Sequence, residues 1–237
     1  MNGGMGNSDI TPLVAAAHEL KAPLGLIRQL AFRLDAPNLS DSERHELVQR
    51  ALLTSDRALR LTSDLTRSAR LDDPALFQLE PINAEALCRD VASELTPLFD
   101  AYGRVVSVKT YKHPLLLVAN RDLLRRILLG FNDNALHYSA PGSAVNMQIQ
   151  AFKQAGIVRI GVRDYGPALS SDMWRKLQKK LRSAPQPIQA RPESSGLGLF
   201  IASQFAEAMN GRIGAIRHKD GATFYVELQA SSQLQLL

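Results

Sequence analysis

Residues 18–24 place a histidine, a carboxylate and a lysine together on one predicted helix. The segment reads His18-Glu19-Leu20-Lys21-Ala22-Pro23-Leu24. Around this segment, small or apolar residues recur at alternating intervals of four and three, at Leu13, Ala17, Leu20, Leu24, Ile27, Ala31 and Leu34. This spacing is typical of helix-on-helix packing, and we call these residues the seam. His18 directly follows the seam position Ala17, so we expect it to point away from the seam. An exposed imidazole beside an acid that can fix its tautomer suits nucleophilic or acid–base chemistry.

Two long helices are predicted to carry this histidine. The first runs over 11–35, with Pro12 in its first turn and Pro23 as an expected kink. The second begins after a turn at 36–38, is capped by Ser40 or Asp41, and continues to about Leu71. Its seam consists of Leu47, Ala51, Thr54, Ala58, Leu61, Leu65 and Ser68. Two helices cannot close a core alone, so we expect two copies to form a dimeric four-helix bundle.

The remainder of the chain mixes strands and helices. Asp72-Asp73-Pro74 predicts a linker, and residues 1–9 are predicted to be a disordered N-terminus. Strands are expected at 77–82, 105–111, 115–119, 145–152, 157–163, 213–218 and 223–228. Helices are expected at 83–102, 121–138, 170–181 and 197–209. Repeated βαβ units are absent from this order, which favours an α+β fold with an α/β sandwich after the helical hairpin.

Composition excludes several classes of protein. The 237 residues carry a formal charge of +5 with both signs interspersed, which argues against a nucleic-acid partner. Cys88 is the only cysteine, so neither a disulfide framework nor a zinc site is expected. Neither a run of 18–20 apolar residues nor a signal-peptide pattern is evident. The sequence therefore predicts a cytoplasmic chain, and a membrane-spanning part could only be a separate chain or a portion missing from this one.

Four segments, taken in order, resemble one family. The first is 18–24; the others read Gly130-Phe131-Asn132-Asp133-Asn134-Ala135-Leu136-His137-Tyr138-Ser139, Asp164-Tyr165-Gly166-Pro167-Ala168 and Gly196-Leu197-Gly198-Leu199. This series resembles the H box, the N box and the two glycine boxes of the transmitter core of sensor histidine kinases. The likeness extends from about Ile10 to Leu228. It implies a dimerisation and phosphoacceptor hairpin at 10–73 and an ATP-binding domain of the gyrase type at 77–230.

The resemblance implies a role for each residue of the H box. His18 would be the phosphoacceptor, attacking the γ-phosphate of ATP in line. Glu19 would accept a hydrogen bond from the imidazole as orienter and general base, and Lys21 would meet phosphate oxygens. Four positions after the histidine the family often has Thr or Asn, where this chain has Ala22.

The N box and the glycine boxes would bind ATP and Mg²⁺. Asn134 matches the family's metal-binding asparagine, and an amide carbonyl suits a hard cation. His137 and Tyr138 occupy positions near the phosphates and the nucleotide. Asp164 would accept a hydrogen bond from the adenine amino group, where guanine offers a carbonyl.

The glycines of the two glycine boxes would act through the backbone. Gly166 permits close backbone approach. Gly196 and Gly198 would end the ATP lid at a helix N-terminus, where backbone N–H groups receive phosphate.

The chain departs from the family pattern at several positions. Gly130 replaces the first asparagine of the N box, and Ala168 replaces a glycine. Ser194-Ser195 stands where Gly-Thr is usual, and Trp174 is the only candidate for the missing Phe-rich box. Three hypotheses therefore remain: a histidine kinase that phosphorylates a response-regulator receiver, a degenerate kinase that binds a receiver without turnover, and an ATPase of the gyrase or mismatch-repair type.

Overall fold

A computed structural model describes residues 7–71, 78–109, 114–140, 142–182 and 197–232. Its first part is a hairpin of two 28-residue helices, α1 (Asn7–Leu34) and α2 (Asp41–Ser68). Of the two predicted candidates, Ser40 caps α2. The Ser40 hydroxyl accepts from the Glu43 N–H at 3.3 Å, and the Ser40 backbone N–H donates to the Glu43 carboxylate at 2.9 Å. This reciprocal capping box satisfies two N–H groups that a helix start leaves unpaired.

The second part is built on a mixed five-stranded sheet. Its strands are β2 (Val105–Val108), β4 (Ala144–Phe152), β5 (Ile157–Arg163), β6 (Arg212–His218) and β7 (Gly221–Gln229). They lie in the order β2-β4-β5-β7-β6, with β2 parallel to β4 and every other pair antiparallel. A separate antiparallel pair joins β1 (Glu80–Asn83) to β3 (Leu116–Ala119).

Four helices accompany the sheet: α3 (Ala84–Ala101), α4 (Arg121–Tyr138), α5 (Ser171–Arg182) and α6 (Leu197–Ala208). Alternate residues of the strands face these helices and form one apolar core with them, as the period of two in a strand requires. Its fully buried members include Leu87, Phe99, Leu123, Phe131, Met147, Ile160 and Phe205. A two-layer α/β sandwich following a helical hairpin confirms the predicted fold class.

The hairpin packs against the sandwich through α2. Leu53, Leu61, Leu65 and Leu71 are partly buried against the apolar core of the sandwich. Polar contacts join the same surfaces, because the Ser68 hydroxyl donates to Gln204 of α6 and Arg126 of α4 pairs with Asp64. The two parts of the molecule therefore share an interface that is apolar and charged at once.

Several predicted boundaries differ from the structure. Helix α1 begins at Asn7, whereas Thr11 and a disordered stretch over 1–9 were expected, and it runs uninterrupted through Pro23. Strand β1 begins at Glu80 and β2 ends at Val108, each shorter than predicted. Residues 72–77, which include the expected linker, and 183–196 lie outside the described residues.

The seam of α1 packs less completely than its spacing predicts. Among the hairpin side chains that the structure describes, Leu30 and Leu47 are the buried apolar ones, whereas the seam residue Leu24 remains 59% exposed. Phe32, Leu52 and Leu59 are also exposed. One hairpin is thus insufficient to cover its own apolar surface.

Candidate nucleotide and phosphoacceptor site

Helix α4 carries the N box and is fixed at both ends. Asn120 caps its N-terminus, with the side-chain carbonyl accepting from the Leu123 N–H at 3.0 Å. At the other end the Ser139 N–H donates to the Ala135 carbonyl at 2.9 Å, and Arg104 donates to the Ser139 carbonyl at 2.7 Å. The last turn of α4 is therefore held in place by the helix itself and by a neighbouring guanidinium.

Three predicted nucleotide-binding residues lie in that last turn or just before it. Asn134 and Tyr138 are half-buried and one helical turn apart, so they share a face of α4. The His137 side chain is exposed, and its ring meets the Tyr138 ring edge-on with 4.8 Å between centroids. An amide, an imidazole and a phenol are thus grouped at the C-terminal end of one helix.

Asp164 follows the last residue of β5 and is only 2% exposed. Its Oδ1 accepts from the backbone N–H groups of Gly166 and Ala222, each at 3.3 Å. Its own N–H donates to the Ala222 carbonyl at 2.9 Å. A carboxylate held by two backbone donors has a fixed orientation, which is what selective recognition of an amino group requires.

Gly166 brings the Asp164 loop against the end of α4. A Cβ atom at Gly166 would collide with the carbonyl oxygen of Tyr138, so only glycine allows this approach. The Ala140 N–H also donates to the Tyr165 carbonyl at 3.1 Å. The structure therefore places the Asp164 loop against the last turn of α4, one turn from Asn134, and Gly166 makes this backbone contact possible.

Helix α6 begins at Leu197 and packs against α4. Gly198 is exposed, and a Cβ atom there would meet no atom within 4 Å. The first turn of α6 itself contains no acidic residue, and the N-terminal end of a helix carries the positive end of its dipole. Gly196 lies outside the described residues. The described start of α6 therefore has the open space and the backbone polarity that a phosphate group needs.

The carboxylate of Asp133 faces the hairpin. Its Oδ1 is buried without a hydrogen bond and lies 3.8 Å from the Arg60 guanidinium of α2. Burial raises the pKa of Asp133, while the charges of Arg57 and Arg60 act in the opposite direction. The Asp133 carboxylate is therefore directed at arginines of α2. The side-chain oxygen that remains for a cation is that of the next residue, Asn134.

A magnesium ion would fit the residues that are present. Within the described parts of the chain, no three His, Cys, Asp or Glu side chains lie close enough to hold a metal by themselves. Mg²⁺ commonly takes one or two protein oxygens and completes its shell with phosphates and water. The half-buried amide of Asn134 meets that requirement.

The H box lies on α1. His18 and Glu19 are within the helix, but both side chains lie outside the described residues. Lys21 and Ala22 are exposed on the same helix, which leaves the lysine accessible to an incoming phosphate. The predicted orientation of His18 remains a prediction.

Two other features concern the departures from the family pattern. A Cβ atom at Gly130 would meet no atom within 4 Å, so the missing asparagine leaves open space one turn before Asn134. Ala168 is exposed, and Leu169 after it is buried. Trp174 packs partly against the core. Its role as a substitute for the Phe-rich box stays a prediction.

Sequence reasoning missed the contribution of the turn between β6 and β7. Gly221 has a φ of +125°, and a Cβ there would lie 2.6 Å from Asp164 Oδ1. Asp220 and Gly221 lie in this turn, and the closeness of the turn to Asp164 depends on the pairing of β5 with β7. The turn thus forms one wall of the Asp164 pocket.

Comparisons with known proteins agree with this geometry. Residues 119–232 match the family described as histidine kinase-, DNA gyrase B- and HSP90-like ATPase. The chain is similar to the histidine protein kinase SaeS of Staphylococcus epidermidis, with 25% identity over 83% of this chain and 56% of SaeS. It is 32% identical to the sensor protein SphS of Synechococcus elongatus, over 92% of this chain and 54% of SphS. The chain thus spans about half the length of these curated relatives.

Solved structures show the same architecture. Full-length ShkA in complex with AMPPNP is 27% identical, with a TM-score of 0.60 over 93% of this chain and 46% of ShkA. Histidine kinase ThkA, solved in complex with the response regulator protein TrrA, shares the fold, with a TM-score of 0.59 at 17% identity over 92% of this chain and 60% of ThkA. No described helix has the length and apolar character of a membrane span. Together with the ordered boxes and the hairpin-plus-sandwich fold, these likenesses support a sensor kinase transmitter core.

Proposed function

We propose that this chain is an ATP-dependent protein histidine kinase that autophosphorylates on His18 and passes the phosphoryl group to an aspartate of a response-regulator receiver. The observation that carries the proposal is the Asp164 carboxylate. It is buried, oriented by the N–H groups of Gly166 and Ala222, and placed beside the end of α4. Such a fixed acceptor suits the amino group of adenine and disfavours the carbonyl of guanine.

The chemistry would divide between the two parts of the molecule. One imidazole nitrogen of His18 would form a bond to the γ-phosphorus while the bond to the bridging oxygen breaks, releasing ADP. Glu19 would accept the hydrogen bond from the other ring nitrogen and so raise the nucleophilicity of the imidazole. Lys21, which is exposed on the same helix, would meet phosphate oxygens.

The sandwich would bind and orient ATP. Asp164 would bind the adenine, His137 and Tyr138 would flank the nucleotide, and Gly198 at the start of α6 would leave room for phosphate near backbone N–H groups. Asn134 would provide the amide oxygen for Mg²⁺. Bound Mg²⁺ would neutralise charge that develops on the phosphate oxygens during transfer.

The hairpin would form the dimer and the docking surface for the receiver. The exposed apolar residues Leu24, Phe32, Leu52 and Leu59 support association with a second copy, because a lone hairpin leaves them in water. A receiver that takes the phosphoryl group from His18 must approach α1. The resulting assembly would be a homodimer with a receiver on each bundle face.

A second candidate function is a degenerate kinase that binds a receiver without turnover. Gly130 favours it, because this residue provides no amide where the family has a first asparagine, and Ala168 departs from the glycine pattern. The two candidates differ in whether the chain acquires covalent phosphate.

The test incubates the full chain with γ-labelled ATP and Mg²⁺ and follows covalent label. A histidine kinase acquires label that acid removes and base does not, whereas the degenerate candidate binds ATP without acquiring label. His18→Gln should abolish labelling and leave nucleotide binding intact. His45→Gln, which removes an exposed histidine of α2, is the matched control and should label normally. Label that persists in His18→Gln would contradict the assigned phosphoacceptor.

Asp164→Asn tests the nucleotide site separately. Exchange of an ionised acceptor for an amide should weaken ATP binding by about 1.5–3 kcal/mol if the bond is charge-assisted. Asn134→Ala should instead weaken the Mg²⁺-dependent part of binding. Titration of ATP with and without Mg²⁺ separates the two variants, and identical behaviour would contradict the assigned division of roles.

A further inference from the structure

Arg163 is a buried guanidinium directly before the adenine-recognition candidate Asp164. Its side chain is 8% exposed, although arginine is rarely buried without several partners. Its Nη2 lies 2.5 Å from Asp220 Oδ1 in the β6–β7 turn. Its Nη1 donates to the carbonyl of Asp164 and also lies 3.4 Å from the carbonyls of Asp220 and Ala222. One side chain therefore ties the end of β5 to the turn between β6 and β7.

The ring of Tyr165 completes this arrangement. The Arg163 guanidinium carbon lies 4.3 Å from the Tyr165 ring centroid, a cation–π distance. Tyr165 is itself held, because its hydroxyl accepts from the Asn146 amide at 3.3 Å and its carbonyl accepts from the Ala140 N–H. The Tyr165 ring therefore restrains the orientation of the guanidinium plane, while the hydrogen bonds hold its two terminal nitrogens.

Arg163 points away from the predicted nucleotide. Val162 faces the helices as part of the core, and successive residues of a strand point to opposite faces, so Arg163 points to the face without helices. Asp164 comes next and reaches the helix side, where its loop meets Tyr138. Any influence of Arg163 on a nucleotide must therefore pass through Asp164.

The turn that Arg163 holds also orients the Asp164 carboxylate. Ala222 donates one of the two backbone hydrogen bonds to Asp164 Oδ1. Gly221 lies so close that a Cβ there would be 2.8 Å from Arg163 Nη1 and 2.6 Å from Asp164 Oδ1. A displacement of the turn would therefore move a donor of the carboxylate directly.

We propose that Arg163 is a positioning residue for adenine recognition: by tying Asp220 and Ala222 to the end of β5, its guanidinium fixes the Asp164 carboxylate from the opposite face of the sheet. This inference rests on the proposed nucleotide site.

The test compares variants of the full chain by calorimetric titration with Mg²⁺-ATP and Mg²⁺-GTP, after thermal melts have shown that each is folded. Arg163→Met removes every donor and keeps the length of the stem. It should weaken ATP binding about tenfold, the effect of about 1.4 kcal/mol, and bring the affinities for ATP and GTP closer together. Arg163→Lys keeps the charge but cannot bridge two acceptors in a plane, so it should restore ATP affinity only partly.

Arg159→Met is the matched control. Arg159 lies on the same strand and the same face, is ion-paired to Glu227, and stacks on Tyr225, but it is five residues from Asp164. Its loss should lower stability without changing the ratio of ATP to GTP affinity. Equal ratios in Arg163→Met and Arg159→Met would overturn the positioning role.

Asp220→Asn decides the matter if Arg163→Met is poorly folded. The Asp220 side chain is 67% exposed, so its exchange weakens the ion pair without emptying the interior. It should reduce ATP affinity and selectivity in the same direction as Arg163→Met, and an unchanged ratio would overturn the inference. Failure of Asp164→Asn to weaken ATP binding would instead refute the proposed nucleotide site, and the role of Arg163 with it.

Discussion

Arg126 of α4 forms an ion pair with Asp64 of α2 and thereby joins the helical hairpin to the ATPase sandwich. The Arg126 Nε also lies 3.1 Å from Asp122 on its own helix, and Asp122 in turn lies 2.8 Å from Arg67 of α2. The side chains of Arg126 and Asp64 are 16% and 21% exposed. Four charges of alternating sign therefore lie in a half-buried interface.

Removal of the arginine should be more harmful than neutralisation of the acid. Burial raises the pKa of Asp64, whereas its hydrogen bond with Arg126 lowers it. The pKa is raised overall, so desolvation of the carboxylate has a larger effect than the ion pair. Arg126→Met leaves Asp64 and Asp122 without this partner and should cost about 2 kcal/mol of unfolding free energy, while Asp64→Asn should stay within about 1 kcal/mol. Urea unfolding of each variant measures the difference.

The same pair predicts a dependence on pH. A carboxyl whose folded pKa is raised binds more protons in the folded state, so stability falls as pH increases from 3.8 through the raised folded value. The Asp64→Asn variant lacks this loss. Its stability relative to the wild type should therefore increase over that interval, and a difference that stays constant with pH would contradict the burial cost assigned to Asp64.

Gly130→Asn should stabilise the sandwich and tighten nucleotide binding. The position lies inside α4 with no atom within 4 Å of an added Cβ, so a side chain fits, and asparagine relieves part of the helix penalty of about 1 kcal/mol that glycine carries relative to alanine. Gly130→Ala is the control, because it provides the helix gain without the amide. Tighter ATP binding in Gly130→Asn than in Gly130→Ala would show that the amide itself contributes, and equal binding would show that it does not.

Gly166→Ala and Gly198→Ala should have different effects on the stability of the protein. A methyl group at Gly166 collides with the Tyr138 carbonyl, so the variant should displace the Asp164 loop and lose stability as well as ATP affinity. Gly198→Ala meets no protein atom and should keep or gain stability, since alanine favours the helix. Thermal melts with and without ATP distinguish the two. Loss of ATP affinity in a fully stable Gly198→Ala would place phosphate against the start of α6.

Cys88 should report opening of the sandwich. It is fully buried in α3, and burial, with a contribution from the Glu85 carboxylate, raises the pKa of its thiol to about 12. Because the thiolate is the reactive form, alkylation by iodoacetamide should be slow in the native chain and fast in urea. ATP at 100 times its dissociation constant should slow native alkylation by up to about 100-fold, provided that reaction requires unfolding. Fast native alkylation would contradict the burial of this residue.

Ala22→Thr should give the protein receiver phosphatase activity that the wild type largely lacks. A methyl group cannot orient the water that attacks a phosphoaspartate, whereas a threonine hydroxyl can. Ala22 is exposed on α1, so the exchange should be tolerated. Decay of the phosphorylated cognate receiver with ADP present measures the gain, and Ala22→Val is the control of equal shape without the hydroxyl. Equal decay with threonine and valine would rule out the hydroxyl as the cause.

Local sequence determined most of the elements and the chemistry of the boxes. The Ser40–Glu43 capping box, the period of two in β4 and β5, and the apolar spacing of α4 act over a few residues, so their outcome could be predicted without knowledge of distant segments. For Asp164, the role of adenine acceptor was implied only by the resemblance of its segment to a glycine box, and this role stays a prediction.

Contacts between distant segments decided the rest. Arg163 meets Asp220 across 57 positions of sequence, and Arg126 meets Asp64 across 62. Such pairs depend on which strands adjoin and on how the hairpin rests on the sandwich. Local spacing carries no information on either, because side chains that are remote in sequence meet only after burial of the apolar core has brought their backbones together. The sequence by itself therefore determined which groups could bind a nucleotide, and the tertiary structure decided which residues hold them in place.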